Sequence, residues 1–270
     1  MFTFQKNIII LLTIILAILL AIAAYCGAFI PETYQRDTAS IAVQGIGQDF
    51  VNLFLVVPLL IIVLPFIKRD QNKALLFHAG TLFYILYSFI IYTMGVYFNF
   101  LFLLYCFILG LSIYAFMITV YVLVNNDVSG WFPGKIPIRI TGVFLIFIAV
   151  MFYLLWLKEV IPAVLSNSVP RSVSDYKLLV NPVHVLDISF VLPGLIISAV
   201  LLFKRNKFGF IFSVIALEFI VLLAIALIAM VVMLQIRGIS DDSSIAGIFT
   251  VLAVIGLVLL GLIYKNYNNN

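Results

Sequence analysis

The chain has 270 residues, of which 65% are hydrophobic and 10% charged, whereas soluble domains carry about 25% charged residues. With a mean hydropathy of +1.27, this composition excludes a soluble globular domain and marks a polytopic membrane protein. The formal net charge of +4 does not imply nucleic acid, because the basic residues stand beside apolar runs, where they set topology.

The first apolar run, 8–29, is longer than the core of about 7–15 residues in a secretory signal. Tyr25 precedes Cys26 where a lipoprotein box needs a small residue, so this run is expected to stay as helix 1, uncleaved. Cys26 and Cys106 have neither the CxxC spacing of a redox pair nor the clustering of a metal site, and they read as apolar packing residues. The polar stretch 31–49 reads as a long connection to helix 2 at 50–67, which contains Asn52 and Pro58 and ends on Lys68, Arg69, Asp70 and Lys73. Helix 3 is predicted over 74–94 and helix 4 over 101–124. The linker NNDVSGWFPGKIPIR then reads as a loop, because Asn, Gly and Pro break helices.

Helix 5 is predicted over 140–157, ending at Lys158 and Glu159. A second long connection, 161–181, is expected to hold a short surface helix beginning near Ser172, with Asp175 as a weak capping box. Helix 6 covers 184–203, helix 7 covers 208–234 with Glu218 inside it, and helix 8 covers 245–264 before the polar tail KNYNNN. The predicted fold class is an all-α membrane protein with eight transmembrane helices.

Eight spans put both termini on one side, and the basic residues choose it. With the termini in the cytoplasm, the inner segments hold Lys6, Lys68, Arg69, Lys73, Lys135, Arg139, Lys204, Arg205, Lys207 and Lys265, ten of the fifteen. The positive-inside rule therefore predicts cytoplasmic termini.

An internal repeat organises the chain. Aligning Pro58 with Pro193 sets Asp49 on His184 and Asn52 on Asp187, an offset of 135 residues, half the chain. Lys68 and Arg69 then match Lys204 and Arg205 to within one residue. Two four-helix repeats are expected, 1–135 and 136–270, and an even number of spans per repeat gives both the same orientation.

If the repeats pack about an axis along the membrane normal, Asp49, Asn52, His184 and Asp187 converge at the outer mouth. Such groups suit a divalent metal on Asp49, His184 and Asp187, a proton relay, or a polar headgroup. The alternative is that each caps its own helix at the water interface. Glu218 lies about ten residues into its helix, roughly 15 Å at 1.5 Å per residue and near the middle of a core about 30 Å thick. An acid there is expected to face the bundle and carry a proton. Tyr84, near the equivalent position on helix 3, is its candidate partner on a ligand or proton path. The tyrosines at 84, 87, 92, 97, 105, 114 and 121 otherwise read as packing groups or interfacial anchors.

The segments GQDFVNLFLVVPLL and NPVHVLDISFVLPGL resemble those of a group of bacterial multi-pass membrane proteins that has no assigned activity. The resemblance spans helices 2 to 7 and implies a bacterial inner membrane location. No Walker, GxSxG or HExxH motif occurs, and the two histidines, His78 and His184, are expected on opposite sides, so neither haem nor nucleotide is expected. A transporter or carrier for a solute or ion is the first functional reading. A membrane-embedded enzyme or a lipid- or metal-binding sensor at the outer leaflet is the second, which leaves open whether the protein is an enzyme. The third is a scaffold subunit that binds a protein partner through its outer loops.

Overall fold

The computed structural model describes residues 3–126, 137–240 and 242–266. Eight helices among them are long and apolar enough to cross a membrane: α1 (Thr3–Phe29), α2 (Ala39–Lys68), α3 (Asn72–Gly95), α4 (Phe102–Asn125), α5 (Ile138–Leu165), α6 (Pro182–Phe203), α7 (Lys207–Ile236) and α8 (Ser244–Lys265). The described residues contain no strand. This is an all-helical membrane protein with eight spanning helices. Most of the linker between α4 and α5, with Lys135, lies outside the described residues, as does the end of the polar tail.

Three boundaries differ from the sequence expectation, each for a physical reason. Helix α2 begins at Ala39, not near residue 50, because Thr38 is extended and its side chain accepts from the Ile41 N–H, capping the helix. The stretch that follows looked like a loop because Gln44, Gly45, Gly47 and Gln48 lower its hydropathy, yet its glycines serve packing. A Cβ on Gly45 would lie 2.9 Å from the Tyr34 ring. Helix α5 continues past Lys158, Glu159 and Pro162 to Leu165. At 28 residues it is about 42 Å long, more than a hydrocarbon core of about 30 Å needs, so it can carry charged residues in its last turns. The short surface helix is Arg171–Ser174, but Pro170 stands at its cap, and the Ser172 N–H bonds Glu159 Oε1 at 2.7 Å instead of closing a capping box with Asp175.

Helices α2 and α6 share an internal irregularity. Proline lacks an N–H, so Pro58 and Pro193 each deprive a carbonyl one turn earlier of its donor. Just before them the helices loosen into π-turns, Asn52–Val56 and Asp187–Val191, which start 135 residues apart. The Val57 N–H reaches Asn52 O, and the Leu192 N–H reaches Asp187 O. Both helices then end in a left-handed residue, Asp70 at φ 57° and Arg205 at φ 53°. The next N–H reaches back in the same way, from Gln71 to Phe66 O at 3.1 Å and from Asn206 to Leu201 O at 3.0 Å. Such closures satisfy carbonyls orphaned at a helix end.

The chain divides into two compact units. The first holds α1 to α4, α7 from Val214 onward, and α8. Helix α3 lies deep within it: Leu75, Leu76, His78, Ala79, Leu82, Tyr84 and Ile85 have no exposed surface. Helix α1 packs on α2 and α4, and α3 packs on α2 and α4. Phe219 of α7 stacks edge-on against Phe83 and Tyr87, with ring centroids 4.9 and 5.2 Å away. Lys6 ties the start of α1 to the α2–α3 turn through an ion pair of 2.7 Å with Asp70. The second unit holds α5, α6 and the first residues of α7. Its helices approach closely where Gly142 faces the Phe203 ring and Gly209 meets the backbone of Leu201 and Leu202, as small residues permit between membrane helices.

Candidate functional sites

Asp49, Asn52, Tyr84, His184, Asp187 and Glu218 are all buried. None of the four polar residues expected at the outer mouth serves as an N-cap. Asp49 and Asn52 lie well inside α2, and Asp187 lies inside α6 at the start of its π-turn. The caps are Thr38 and Asn181, whose Oδ1 accepts from the Val183 N–H at 3.0 Å.

In the first unit, Asp49 is held by tyrosines from two other segments. The Tyr34 hydroxyl, from the turn Pro31–Tyr34, donates to Asp49 Oδ2, and the Tyr92 hydroxyl of α3 donates to Oδ1 at 2.8 Å. Gly27 of α1 makes room for this group, because a Cβ there would collide with the Asp49 carboxyl and stand 2.8 Å from the Tyr34 oxygen. Burial, and after it the nearby Asp49, pushes the Tyr34 hydroxyl well above its ordinary value, so Tyr34 acts as a donor. Asn52 lies one turn further along α2, and its Oδ1 accepts from the Tyr84 hydroxyl at 3.2 Å.

Glu218 does not bond Tyr84. Its aliphatic stem packs on Gly80, one turn away on α3, and among the described residues no hydrogen bond or ion pair holds its carboxyl. His78 is satisfied separately: Nε2 lies 2.8 Å from Thr13 Oγ1 and Nδ1 lies 3.4 Å from Thr119 Oγ1.

In the second unit, His184 and Asp187 meet through Trp156 of α5. The indole N–H donates to Asp187 Oδ2 at 2.8 Å, and the indole lies 4.7 Å from the His184 ring. His184 Nε2 is buried without a hydrogen-bond partner, 3.9 Å from Glu159 Oε2, which is too far for a hydrogen bond. Glu159 also holds the short helix Arg171–Ser174 through Ser172.

Sequence reasoning did not single out Gly27, Tyr34, Tyr92, Trp156 or Glu159. Tyr84 and Tyr92 stand eight residues apart with Ser88 midway, a spacing that keeps all three on one helix face and was the available signal for Tyr92. For Tyr34 there was none. Among the described residues no three His, Cys, Asp or Glu side chains are grouped to hold a metal ion, and both Asp49 oxygens accept from tyrosine hydroxyls.

No protein-family model, curated protein or solved structure matches the chain. Fold and composition define it as a polytopic, all-helical membrane protein.

Proposed function

We propose that the protein is a carrier that moves a solute or ion across the membrane and couples this movement to the charge state of acids buried in its first unit. The observation that carries the reading is the Glu218 carboxyl, which is 4% exposed and stands near the middle of α7. A structural acid is ordinarily hydrogen-bonded. Charge on an unpartnered carboxyl at this depth costs several kcal/mol, which ties its charge state to the arrival of a cation or proton. Asp49, Asn52 and Tyr84 form the polar approach to it. The matching π-turns and turn closures of α2 and α6 support an origin by duplication, with two four-helix repeats in parallel orientation. The split of basic residues supports cytoplasmic termini, and the resemblance to bacterial multi-pass proteins supports an inner membrane location.

Purified protein in proteoliposomes, given a panel of labelled solutes with and without a pH gradient, tests the reading. Wild type should accumulate at least one solute in response to the gradient, and Glu218→Gln should remove the gradient dependence. Binding or turnover of lipid with no flux of any solute would replace the carrier with the second reading, an outer-leaflet enzyme or sensor. The observation favouring that alternative is the His184, Asp187, Trp156 and Glu159 cluster, in which one carboxylate faces the histidine and holds the adjoining loop helix.

A further inference from the structure

Gly80, Tyr84, Ser88 and Tyr92 follow one another at intervals of four along α3 and so form a single stripe, about 18 Å long at 1.5 Å per residue. All four are buried. At one end Gly80 lies against Glu218. The other end is Tyr92, whose hydroxyl donates to Asp49. Between them the Tyr84 hydroxyl donates to Asn52, and the Ser88 hydroxyl, beside Tyr84, is buried without completing a hydrogen bond.

The row continues beyond Asp49. Tyr34 donates to its second oxygen, and the Tyr105 hydroxyl, beside Tyr34 and Asn99, is buried without completing a hydrogen bond. Asp37 follows, with Oδ1 accepting from the Tyr97 N–H at 3.0 Å and Oδ2 buried without a partner. Scattered packing tyrosines would bury their rings and turn their hydroxyls to carbonyls or water. Here the Tyr34 and Tyr92 hydroxyls donate to one carboxyl, Asp49, and Asp37 Oδ2, Asn52 Nδ2, Ser88 Oγ and the Tyr105 hydroxyl, all buried without a completed hydrogen bond, lie along the same row.

We propose that this row is a proton path, running from Asp37 through Tyr105 and Tyr34 to Asp49, and from Asp49 through Tyr92, Ser88 and Tyr84 to Glu218. The proposal deepens the carrier reading, on which it rests, by naming the proton as the coupling ion. Each hydroxyl oxygen accepts the incoming proton and releases its own to the next acceptor, so no hydroxyl changes charge. Over the whole path the Asp37 carboxyl loses a proton and the Glu218 carboxylate gains one, while the Asp49 carboxylate takes up a proton from the first leg and releases it to the second. Water, which is likewise both donor and acceptor, bridges the gaps wider than a hydrogen bond. The titratable groups around Asp49 are Tyr34, Tyr84, Tyr92, Tyr105 and the Cys26 thiol, none of them cationic. No charged group faces Glu218 among the described residues. His78 lies off the stripe, with threonines on both ring nitrogens.

The test follows the infrared carboxyl band of Glu218 in proteoliposomes after a jump in external pH, the band being assigned by its loss in Glu218→Gln. In wild type the band should respond to external pH. Tyr92→Phe and Ser88→Ala, which remove one hydroxyl each, should slow the response at least tenfold, while Tyr114→Phe, at a residue of α4 that is 65% exposed, should leave it unchanged. Thermal melting of each variant separates a lost relay from a lost fold. A band that ignores external pH, or equal rates in Tyr92→Phe, Ser88→Ala and wild type, would overturn the path. Because no solute is needed, that result leaves the carrier reading to the accumulation assay, which fails if no solute moves or if Glu218→Gln keeps the gradient dependence.

Discussion

Replacing Gly47 by alanine should loosen the packing of α2 on α7. A Cβ at this position would stand 2.8 Å from both the Ala229 carbonyl oxygen and the Met230 Cα, where ordinary contact begins at 3.4 Å. The obstacle is backbone, so no rotamer change relieves it, and the helices must separate locally by about 0.6 Å, the difference between those two distances. Overpacking of this kind costs about 1–3 kcal/mol. Alanine also favours the helix by up to about 1 kcal/mol over glycine, which would mask part of the cost. Gly110→Ala supplies the correction, since nothing lies within 4 Å of a Cβ there and only the helix gain applies. The difference between the two variants therefore isolates the clash. At about 2–4 °C per kcal/mol for chains of this size, Gly47→Ala should melt roughly 2–12 °C below Gly110→Ala in the same detergent. Equal melting temperatures would refute the close approach of α2 to α7.

Burial raises the Asp37 carboxyl above its ordinary value against a smaller opposite effect of the Tyr97 N–H. Its contribution to stability is therefore fully present below the ordinary carboxylate range and is lost as pH rises through the raised value. Asp37→Asn should melt with wild type near pH 3 and above it at pH 7, and identical curves at both pH values would contradict the burial. Trp156→Phe keeps a ring over His184 but removes the donor to the buried Asp187, so it should cost about 1–3 kcal/mol in a thermal melt; wild-type stability would show the bond to be idle. In a background lacking Cys26 and Cys106, single cysteines at Ser40, Ser174 and Ser243 should react with an impermeant reagent from outside, and those at Asn72 and Asn206 should not. Outside labelling at Asn72 or Asn206 would reverse the proposed orientation.

The eight spans were legible in the sequence because each is a local property: a mainly apolar run about as long as the membrane is thick. The turn at Lys68, Arg69 and Asp70 and its counterpart at Lys204 and Arg205 were legible for the same reason. So was the depth of Glu218, which follows from counting residues along one helix. Hydropathy alone could not separate a loop from the start of α2, since Gln48 and Asp49 are polar whether they face water or the interior, and only packing against Tyr34, α3 and α7 decides. The partners of Asp49 come from positions 15 and 43 residues away, and no local pattern announces a tyrosine from a distant segment. The same holds for Trp156, placed beside His184 and Asp187 by the pairing of α5 with α6. Glu218 shows the division most clearly: sequence fixes how deep an acid lies, because depth is a distance along one helix, but whether it finds a partner depends on which faces of other helices are turned towards it.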